Sequence, residues 1–362
     1  MTDPFAFGTR SRRDFITAVA AAAGATILAP NFIAPSHAAG KVKRVDMHHH
    51  FLPQHYMKAE AERAHLDHGN SEMLSWTAER AVDALDKAQV DFAVASISTP
   101  GVWIVGNPQL SRDLAREWNE EAAKTVQTYP KRFGFFAPVP LPDTDGTLKE
   151  IDYAYGTLHA DGINFLSNYE GKWLGDPSFA PVMQELNRRK SLVYVHPTFS
   201  PCCSSNMVPG VGAFALEFPY DTTRTIVSLI ASGTTTRFPD IRWIFSHGGG
   251  ALVGIYNRLV SVGNIPVVKQ RAPAGMHAEL GKLYYDTASL NPEVTLPALL
   301  KLVPPSQILL GSDYPLAGEP PTDVMVKKAV KQFEDMHPAP KLKQAVEHDN
   351  AVRLLPRITK TV

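Results

Sequence analysis

Four apolar stretches of the chain each end in histidine or aspartate, which are side chains that bind transition metals. The residues are His48 and His50 in the first stretch, His196 in the second, His247 in the third and Asp313 in the fourth. Side chains alternate between the faces of a strand, so His48 and His50 point one way and His49 the other. Two imidazoles on one face, joined by another histidine and a carboxylate, predict one divalent transition metal with an open coordination position.

Ordinary structural roles are the alternative for each of these side chains. Asp313, which lies between Gly311 and Pro315, could cap a turn or a helix. Buried imidazoles at positions i and i+2 are costly unless every ring nitrogen has a partner, and a shared metal supplies one. We therefore favour the metal site, with His247 more suited to hydrogen bonding during catalysis than to ligation.

The elements that position these residues alternate between strand and helix from residue 42 onward. Strands are predicted at 42–48, 91–98, 133–140, 161–167, 191–196, 241–247, 283–288 and 307–312. Helices are predicted near 77–89, 107–128, 147–158, 178–190, 222–233, 249–262, 292–303 and 321–335, with a further outer helix at 339–355. Eight strand–helix units in one domain predict an α/β fold, a (β/α)8 TIM barrel with loop insertions at its C-terminal face.

A doubly wound open sheet is the alternative architecture, but no Gly-x-Gly-x-x-Gly follows the first strand. In the barrel, the candidate ligands lie at the C-terminal ends of strands one, five, six and eight. Active sites of this fold lie at that face, so residues distant in sequence are expected to converge there.

The overall composition of the chain restricts the classes of partner that it can bind. The 362 residues include 36 basic and 36 acidic side chains, and 44% of the chain is hydrophobic. A balanced charge gives no electrostatic basis for binding nucleic acid or an anionic membrane. We expect a globular protein with a small-molecule partner.

The first 38 residues predict a twin-arginine export signal. Arg12 and Arg13 precede an apolar stretch, 17–28, and small residues around Ala38 suit a cleavage site. The apolar stretch is too short for a spanning helix, which needs about 20 residues. We expect cleavage near Ala38, a periplasmic mature protein with no membrane segment, and a single barrel domain over 39–362.

The cysteines do not indicate a disulfide framework. Cys202 and Cys203 are adjacent, and adjacent Cα atoms lie about 3.8 Å apart, below the usual separation in a disulfide.

Four motifs lie at the ends of the predicted strands: Asp-x-His-x-His on strand one, His on strand five, His-x-Gly-Gly on strand six and Gly-Ser-Asp-Tyr-Pro on strand eight. Taken together, these motifs resemble the amidohydrolase superfamily. More narrowly, the chain is similar to the decarboxylase branch, with aminocarboxymuconate-semialdehyde, γ-resorcylate and 6-methylsalicylate decarboxylases. Further matching stretches are 133–137, 161–162, 216–224 and 284–287.

The resemblance implies one ion, zinc before manganese, bound by His48, His50, His196 and Asp313, with His247 beside it. Many superfamily hydrolases bridge two metals through a carboxylated lysine on strand four. Strand four of this chain, 161–167, contains no lysine, so a second metal is not expected. Relatives also suggest a homodimer or homotetramer.

Two reactions fit this ligand set. In a decarboxylase, the metal holds a small aromatic or unsaturated carboxylic acid, Asp313 delivers a proton to the carbon that loses carbon dioxide, and His247 holds a substrate oxygen. In a hydrolase, Asp313 and His247 act on a lactone, ester or amide. We favour the decarboxylase, and a non-catalytic binding protein is the third class.

Aromatic residues of the predicted loops could form walls for a flat substrate. We predict contacts from Phe51, Trp103 and Phe218, and a carboxylate contact from Arg224, although ordinary packing is the commoner role of any one of them.

Overall fold

The structure, a computed structural model, describes residues 44–62, 76–202, 208–316 and 324–360. The predicted export signal and its cleavage site lie outside these residues, as does Cys203. No helix among the described residues combines the length and the apolar content needed to cross a bilayer.

Eight parallel strands form one sheet in sequential order, which confirms the predicted barrel. They are β1 (Val45–His50), β2 (Phe92–Ser96), β3 (Phe133–Pro138), β4 (Gly162–Leu166), β5 (Leu192–His196), β6 (Arg242–Phe245), β7 (Tyr284–Asp286) and β8 (Ile308–Leu309). The segment after β8 returns to β1, where Leu310 O accepts from Met47 N at 2.9 Å and His48 O accepts from Asp313 N at 2.8 Å. These bonds bring the last strand beside the first, as a barrel requires.

Helices cover the outside of the sheet and connect successive strands. They are α1 (Ala78–Lys87), α2 (Pro108–Thr128), α3 (Thr144–Gly156), α4 (Ala180–Arg188), α5 (Glu217–Ala231), α6 (Tyr256–Gly263), α7 (Thr295–Leu302) and α8 (Met325–Glu334). Shorter helices lie at Gln54–Glu62, Thr234–Arg237, Pro266–Arg271 and Met276–Leu280, and a two-stranded hairpin pairs Asn168–Tyr169 with Lys172–Trp173. Each predicted crossover helix is present, with ends that differ by several residues.

The start of α6 differs most from the prediction, which placed it at residue 249. Gly248, Gly249 and Gly250 have φ values of +60°, +80° and +72°, a region that side chains rarely adopt. A Cβ on Gly250 would lie 2.0 Å from Pro219 O, so the backbone of this turn passes directly against the start of α5. The glycine run therefore delays the helix until Tyr256.

A β-bulge in β1 places His49 on the outer face of the strand and His48 and His50 on its inner face. The register with β2 shifts between Asp46 and His49. His49 Nδ1 then lies 3.1 Å from Asp46 Oδ2 on the outer face, while Met47 joins the apolar cluster inside the barrel. His48 and His50 remain on the inner face, as the alternation predicted.

The C-terminal segment closes the end of the barrel opposite to the histidines. The outer helix predicted at 339–355 is present over 340–354, where Pro340–Gln344, a π-helical turn at Ala345–Asp349, and Asn350–Leu354 follow one another without a break. Val346 O in the π turn accepts from Leu310 N at 3.1 Å. Residues of the last part pack on the cluster inside the barrel; they are Ala351, Leu354, Leu355 and Ile358.

Candidate metal centre

Four predicted ligands converge at the C-terminal mouth of the barrel. His48, His50, His196 and Asp313 are all buried, and one potential ligand atom from each lies within 4.8 Å of the others. His50 Nε2 lies 2.9 Å from Asp313 Oδ1 and 3.1 Å from His48 Nε2. Among the residues that the structure describes, this is the only such group of three or more histidine, cysteine or acidic side chains.

The Nδ1 atoms of His50 and His196, which face away from the centre of the group, show that these side chains are suited to bind a metal. His50 Nδ1 lies 3.4 Å from Ser96 O, and His196 Nδ1 lies 2.9 Å from Pro197 O. Because a carbonyl oxygen only accepts, each Nδ1 carries the proton and each Nε2 keeps a lone pair directed inward. Converging lone pairs repel one another unless a cation lies among them, so three imidazoles and one carboxylate suit a single divalent ion.

The third ligand histidine is oriented by a buried carboxylate. His48 Nδ1 lies 3.0 Å from Asp286 Oδ2, and neither side chain is exposed. The contact is short but bent, since Nδ1 has no partner that satisfies a hydrogen-bond angle. Carboxylates of this kind fix the ring orientation of metal-binding histidines.

Protonation preferences at the mouth follow from burial and from neighbouring charge. Burial lowers the pKa of His196 well below its usual value, and the imidazoles of His50 and His48 lower it further. Burial also opposes the charged form of His48, but the carboxylates of Asp286 and Asp313 raise its pKa to about 10. Burial favours the neutral form of Asp313, yet His48 and His50 hold its pKa well below the usual range. These shifts favour an ionised carboxylate on Asp313 and a protonated imidazole on His48.

His247 lies beside the four ligands. Its Nε2 is 3.8 Å from Asp313 Oδ2, and its Nδ1 lies 3.2 Å from Ala288 O, which assigns the proton to Nδ1. Asp313 and His247 both have positive φ, +60° and +52°, a conformation that costs free energy and must be held by neighbouring contacts. The structure thus places His247 where the sequence predicted it, next to the metal ligands.

Close packing holds the turn before Asp313. A Cβ on Gly311 would lie 2.8 Å from His48 Cβ and 2.9 Å from Asp286 Cβ. Asp46 fixes the same turn, because its Oδ1 accepts from Ser312 N at 3.0 Å and its Oδ2 from Ser312 Oγ at 2.5 Å. Asp46 stands in the Asp-x-His-x-His motif, but its bonds to Ser312, in the turn after β8, are visible only in the folded chain.

β4 contains Asn164, whose Oδ1 accepts from Ile97 N at 3.2 Å. The expectation of a single metal, which rests on the lack of a lysine in this strand, stays a prediction.

The four predicted substrate contacts do not form one group. Phe51 is buried and packs edge-on against Trp76 and Trp118, within the core between sheet and helices. Trp103 is partly buried, and its Nε1 donates to Glu170 Oε1 at 3.0 Å. Phe218 packs edge-on against Phe199, which lies in the loop after His196.

Arg224, the fourth, lies on α5. Its Nη1 is 3.7 Å from Asp221 Oδ1, and 37% of its side chain is exposed. Asp221 itself is fully buried and was not singled out from the sequence. Its carboxylate accepts from Asn168 Nδ2 at 2.7 Å, from Trp173 Nε1 at 2.8 Å and from Ser167 Oγ. Asp221 lies within the matching stretch 216–224, but its role is not readable from the sequence because these three partners lie about 50 residues away.

Comparison with known proteins identifies relatives over most of the chain. A family model described as amidohydrolase matches residues 45–357. The protein named Decarboxylase yanB of Aspergillus niger is 34% identical over 327 residues, which cover 87% of this chain and 88% of that protein. The 6-methylsalicylic acid decarboxylase acuB of Aspergillus aculeatus is 33% identical over 328 residues, covering 88% and 97%.

Solved structures share the fold. The 5-carboxyvanillate decarboxylase of Novosphingobium aromaticivorans, solved with manganese and a nitrobenzoic acid, aligns with a TM-score of 0.75 at 19% identity. The alignment covers 87% of this chain and 96% of that one.

Proposed function

The chain belongs to the amidohydrolase family, and from this membership and its mouth geometry we infer that it is a metal-dependent carboxy-lyase acting on a small aromatic carboxylic acid. The observation that carries this function is the similarity to proteins named as decarboxylases over nearly the whole barrel, at 33–34% identity. The single-metal ligand set agrees with it. Hydrolysis of a lactone, ester or amide has no comparable support among these relatives.

We propose an acid of the salicylate type, with a hydroxyl group beside the carboxylate. One of the relatives is named for 6-methylsalicylic acid, which has this arrangement. His48, His50, His196 and Asp313 would hold the ion, which would supply positive charge to bind the acid and stabilise the negative charge that develops during the reaction.

His247 and Asp313 then handle the hydroxyl proton. With Nδ1–H directed at Ala288 O, the free Nε2 of His247 is an acceptor and can hold the substrate hydroxyl. Asp313 Oδ2, which lies 3.8 Å from this nitrogen, is a second acceptor for the single proton of the hydroxyl. An ionised Asp313 takes the hydroxyl proton as the acid binds.

Asp313 next delivers that proton to the ring carbon bearing the carboxylate. A C–H bond forms, the bond to the carboxylate breaks, and its electron pair restores the aromatic ring as carbon dioxide leaves. The phenolic oxygen regains a proton from water. The net reaction consumes one proton and one carboxylate, and yields the phenol and carbon dioxide.

Zinc is our proposal for the resident ion, because a set with three imidazoles suits it. Manganese is the alternative, supported by its presence in the structurally similar 5-carboxyvanillate decarboxylase. Elemental analysis of protein purified without added metal tests this choice. One zinc per chain would support the proposal, and manganese at that stoichiometry would replace it.

Export and assembly are proposed from the sequence. The paired arginines at residues 12–13 support transport by the twin-arginine route to the periplasm, and the homodimer or homotetramer is proposed only from the family resemblance of the sequence. Fractionation of the native host and light scattering on the purified protein test the two proposals. Full-length protein confined to the cytoplasm, or a monomer at micromolar concentration, would contradict them.

The function is tested with acids labelled with carbon-13 in the carboxylate. Metal-loaded protein is incubated with 2-hydroxybenzoates and, separately, with aryl esters and lactones, while labelled carbon dioxide and phenol are measured. We expect equal amounts of carbon dioxide and phenol from a 2-hydroxybenzoate. Ester or lactone hydrolysis without carbon dioxide from any acid would contradict the proposal.

A further inference from the structure

Asp286, the last residue of β7, is a fully buried carboxylate that contacts residues from three other parts of the barrel mouth. Its Oδ2 lies 3.0 Å from His48 Nδ1 and accepts from Tyr194 OH at 3.0 Å. Its Oδ1 accepts from His247 N and from Ala288 N, both at 3.0 Å. Three donors thus bond this carboxylate and His48 Nδ1 lies within contact distance of it, while Asp286 is not one of the four metal ligands.

The Oδ2 side of Asp286 decides which nitrogen of His48 can ligate. An imidazole that binds a metal through Nε2 must carry its proton on Nδ1. A carboxylate oxygen only accepts, so Asp286 favours this tautomer of His48. Tyr194, which is fully buried on β5, donates to the same oxygen and keeps it facing His48.

The Oδ1 side of Asp286 holds His247 in two ways. It accepts the backbone N–H of His247, whose φ of +52° needs support from its surroundings. It also accepts from Ala288 N, and Ala288 O in turn accepts from His247 Nδ1. The position of the Asp286 carboxylate therefore fixes both the backbone of His247, by a direct bond, and its ring, through Ala288.

We propose that Asp286 is a positioning residue that fixes the ligating tautomer of His48 and the location of His247, and that Tyr194 holds Asp286 in register. This inference rests on the metal site of the proposed function. It adds that metal affinity and the placement of the catalytic histidine are coupled through a residue that touches neither the ion nor the substrate.

The variant Asp286→Asn tests the tautomer argument while keeping the shape of the side chain. The amide oxygen can still accept from His247 N and Ala288 N, which leaves the NH2 group facing His48 and Tyr194. An NH2 group donates, so His48 Nδ1 must become the acceptor and its proton moves to Nε2. The ligating nitrogen is then blocked, and we expect metal affinity to fall about 10–100-fold.

A pair of tyrosine variants separates this role from general loss of packing. Tyr194→Phe removes the donor to Asp286 Oδ2. Tyr285→Phe removes a hydroxyl that is equally buried, next to Asp286 in sequence, but which donates to Leu280 O at 2.9 Å. We expect Tyr194→Phe to weaken metal binding roughly two- to tenfold and Tyr285→Phe to leave it unchanged, because only the first hydroxyl bonds Asp286.

The measurement is the zinc dissociation constant from chelator competition, with manganese titrated in parallel and thermal melting to confirm folding. The order of affinity expected is wild type and Tyr285→Phe, then Tyr194→Phe, then Asp286→Asn. Folded Asp286→Asn with affinity within twofold of the wild type would overturn the proposal, as would equal losses in the two tyrosine variants. Failure of the metal site itself is distinguishable, because the wild type would then bind no ion tightly.

Discussion

The chemistry of the mouth depends on histidines whose Nδ1 atoms, which face away from the proposed ion, are held by backbone carbonyl groups. Carbonyl oxygens of Ser96, Pro197 and Ala288 lie near the Nδ1 atoms of His50, His196 and His247. Each carbonyl leaves the inward Nε2 available for an ion or a substrate.

Asp313→Asn tests the proton transfer at the residue scale. An amide cannot hold and deliver the proton, so we expect kcat to fall by about 10²- to 10⁴-fold while the thermal melting curve stays near that of the wild type. Rates are divided by the bound metal, because Asp313 is also a ligand. Near-normal turnover per metal ion would remove Asp313 from the reaction.

His48→Ala tests the ligand assignment against its neighbour in sequence. We expect metal content to fall well below one ion per chain, since one of four ligands is lost. His49→Gln is the control, because His49 faces the outside of the barrel and stacks on Tyr314. Equal metal contents in the two variants, measured by elemental analysis, would contradict the assignment.

Residue types and spacing were sufficient to predict the ligands, since His48 and His50 share a face and Asp313 follows the last strand, although β8 ends earlier than predicted, at Leu309. The partners of the outer nitrogens were not predictable, because backbone carbonyls carry no sequence signal. Phe51 shows a second limit. It follows His50 directly, yet its ring packs between Trp76 and Trp118, a direction decided by packing and not by proximity in sequence.

Among the elements, the loops over the mouth are joined by buried Asp221 at the start of α5. Asn168, in the hairpin after β4, donates to Asp221 and also to Phe199 O at 3.1 Å. Ser167 Oγ donates to Asp221 and accepts from Thr198 N at 3.0 Å. The loop that follows the ligand His196 is therefore held by this carboxylate.

Asp221→Asn should loosen that loop. The amide cannot accept at both positions, and an unsatisfied buried donor costs about 1–3 kcal/mol. We expect a lower melting temperature and a KM raised several-fold, with metal content unchanged.

A matched control is Asp161→Asn, at the opposite end of the barrel, where Asp161 pairs with Arg357 and accepts from Phe135 N. This variant should melt earlier with KM unaltered. A raised KM in both variants would show that Asp221 acts only through global stability.

The strands and crossover helices were predictable from periodicity, but their ends were not. α5 begins at Glu217, five residues before the predicted start, because Pro219 falls in the first turn, where a proline costs no hydrogen bond. α6 begins late, since the glycine run packs its backbone against Pro219. The start of α5 thus follows a local rule, whereas the start of α6 is set by a contact between elements that only the folded chain brings together.

At the scale of the whole molecule, the apolar residues that stabilise the barrel and the polar residues of the candidate site lie at opposite ends. Apolar residues and the C-terminal segment fill the end opposite to the mouth, while the buried polar residues of the mouth come from seven of the eight strands or the turns after them. Removing the ion should therefore leave a folded barrel with a less stable mouth.

Chelation tests this expectation. A ligand at 100 times its Kd stabilises the folded state by about 2.7 kcal/mol, so metal-free protein should melt several degrees earlier and be inactive. Zinc or manganese should restore both properties, and magnesium should not, because imidazole ligands suit it poorly. Full activity after exhaustive chelation, verified by elemental analysis, would contradict the metal-dependent mechanism.

The central claim is one divalent cation held by His48, His50, His196 and Asp313, and an anomalous difference map from crystals of the active protein tests it most directly. Data collected on either side of the zinc and manganese absorption edges should show a single strong peak about 2.0–2.2 Å from the three Nε2 atoms and a carboxylate oxygen. Active crystals with no peak there, or with the ion bound elsewhere, would contradict the account.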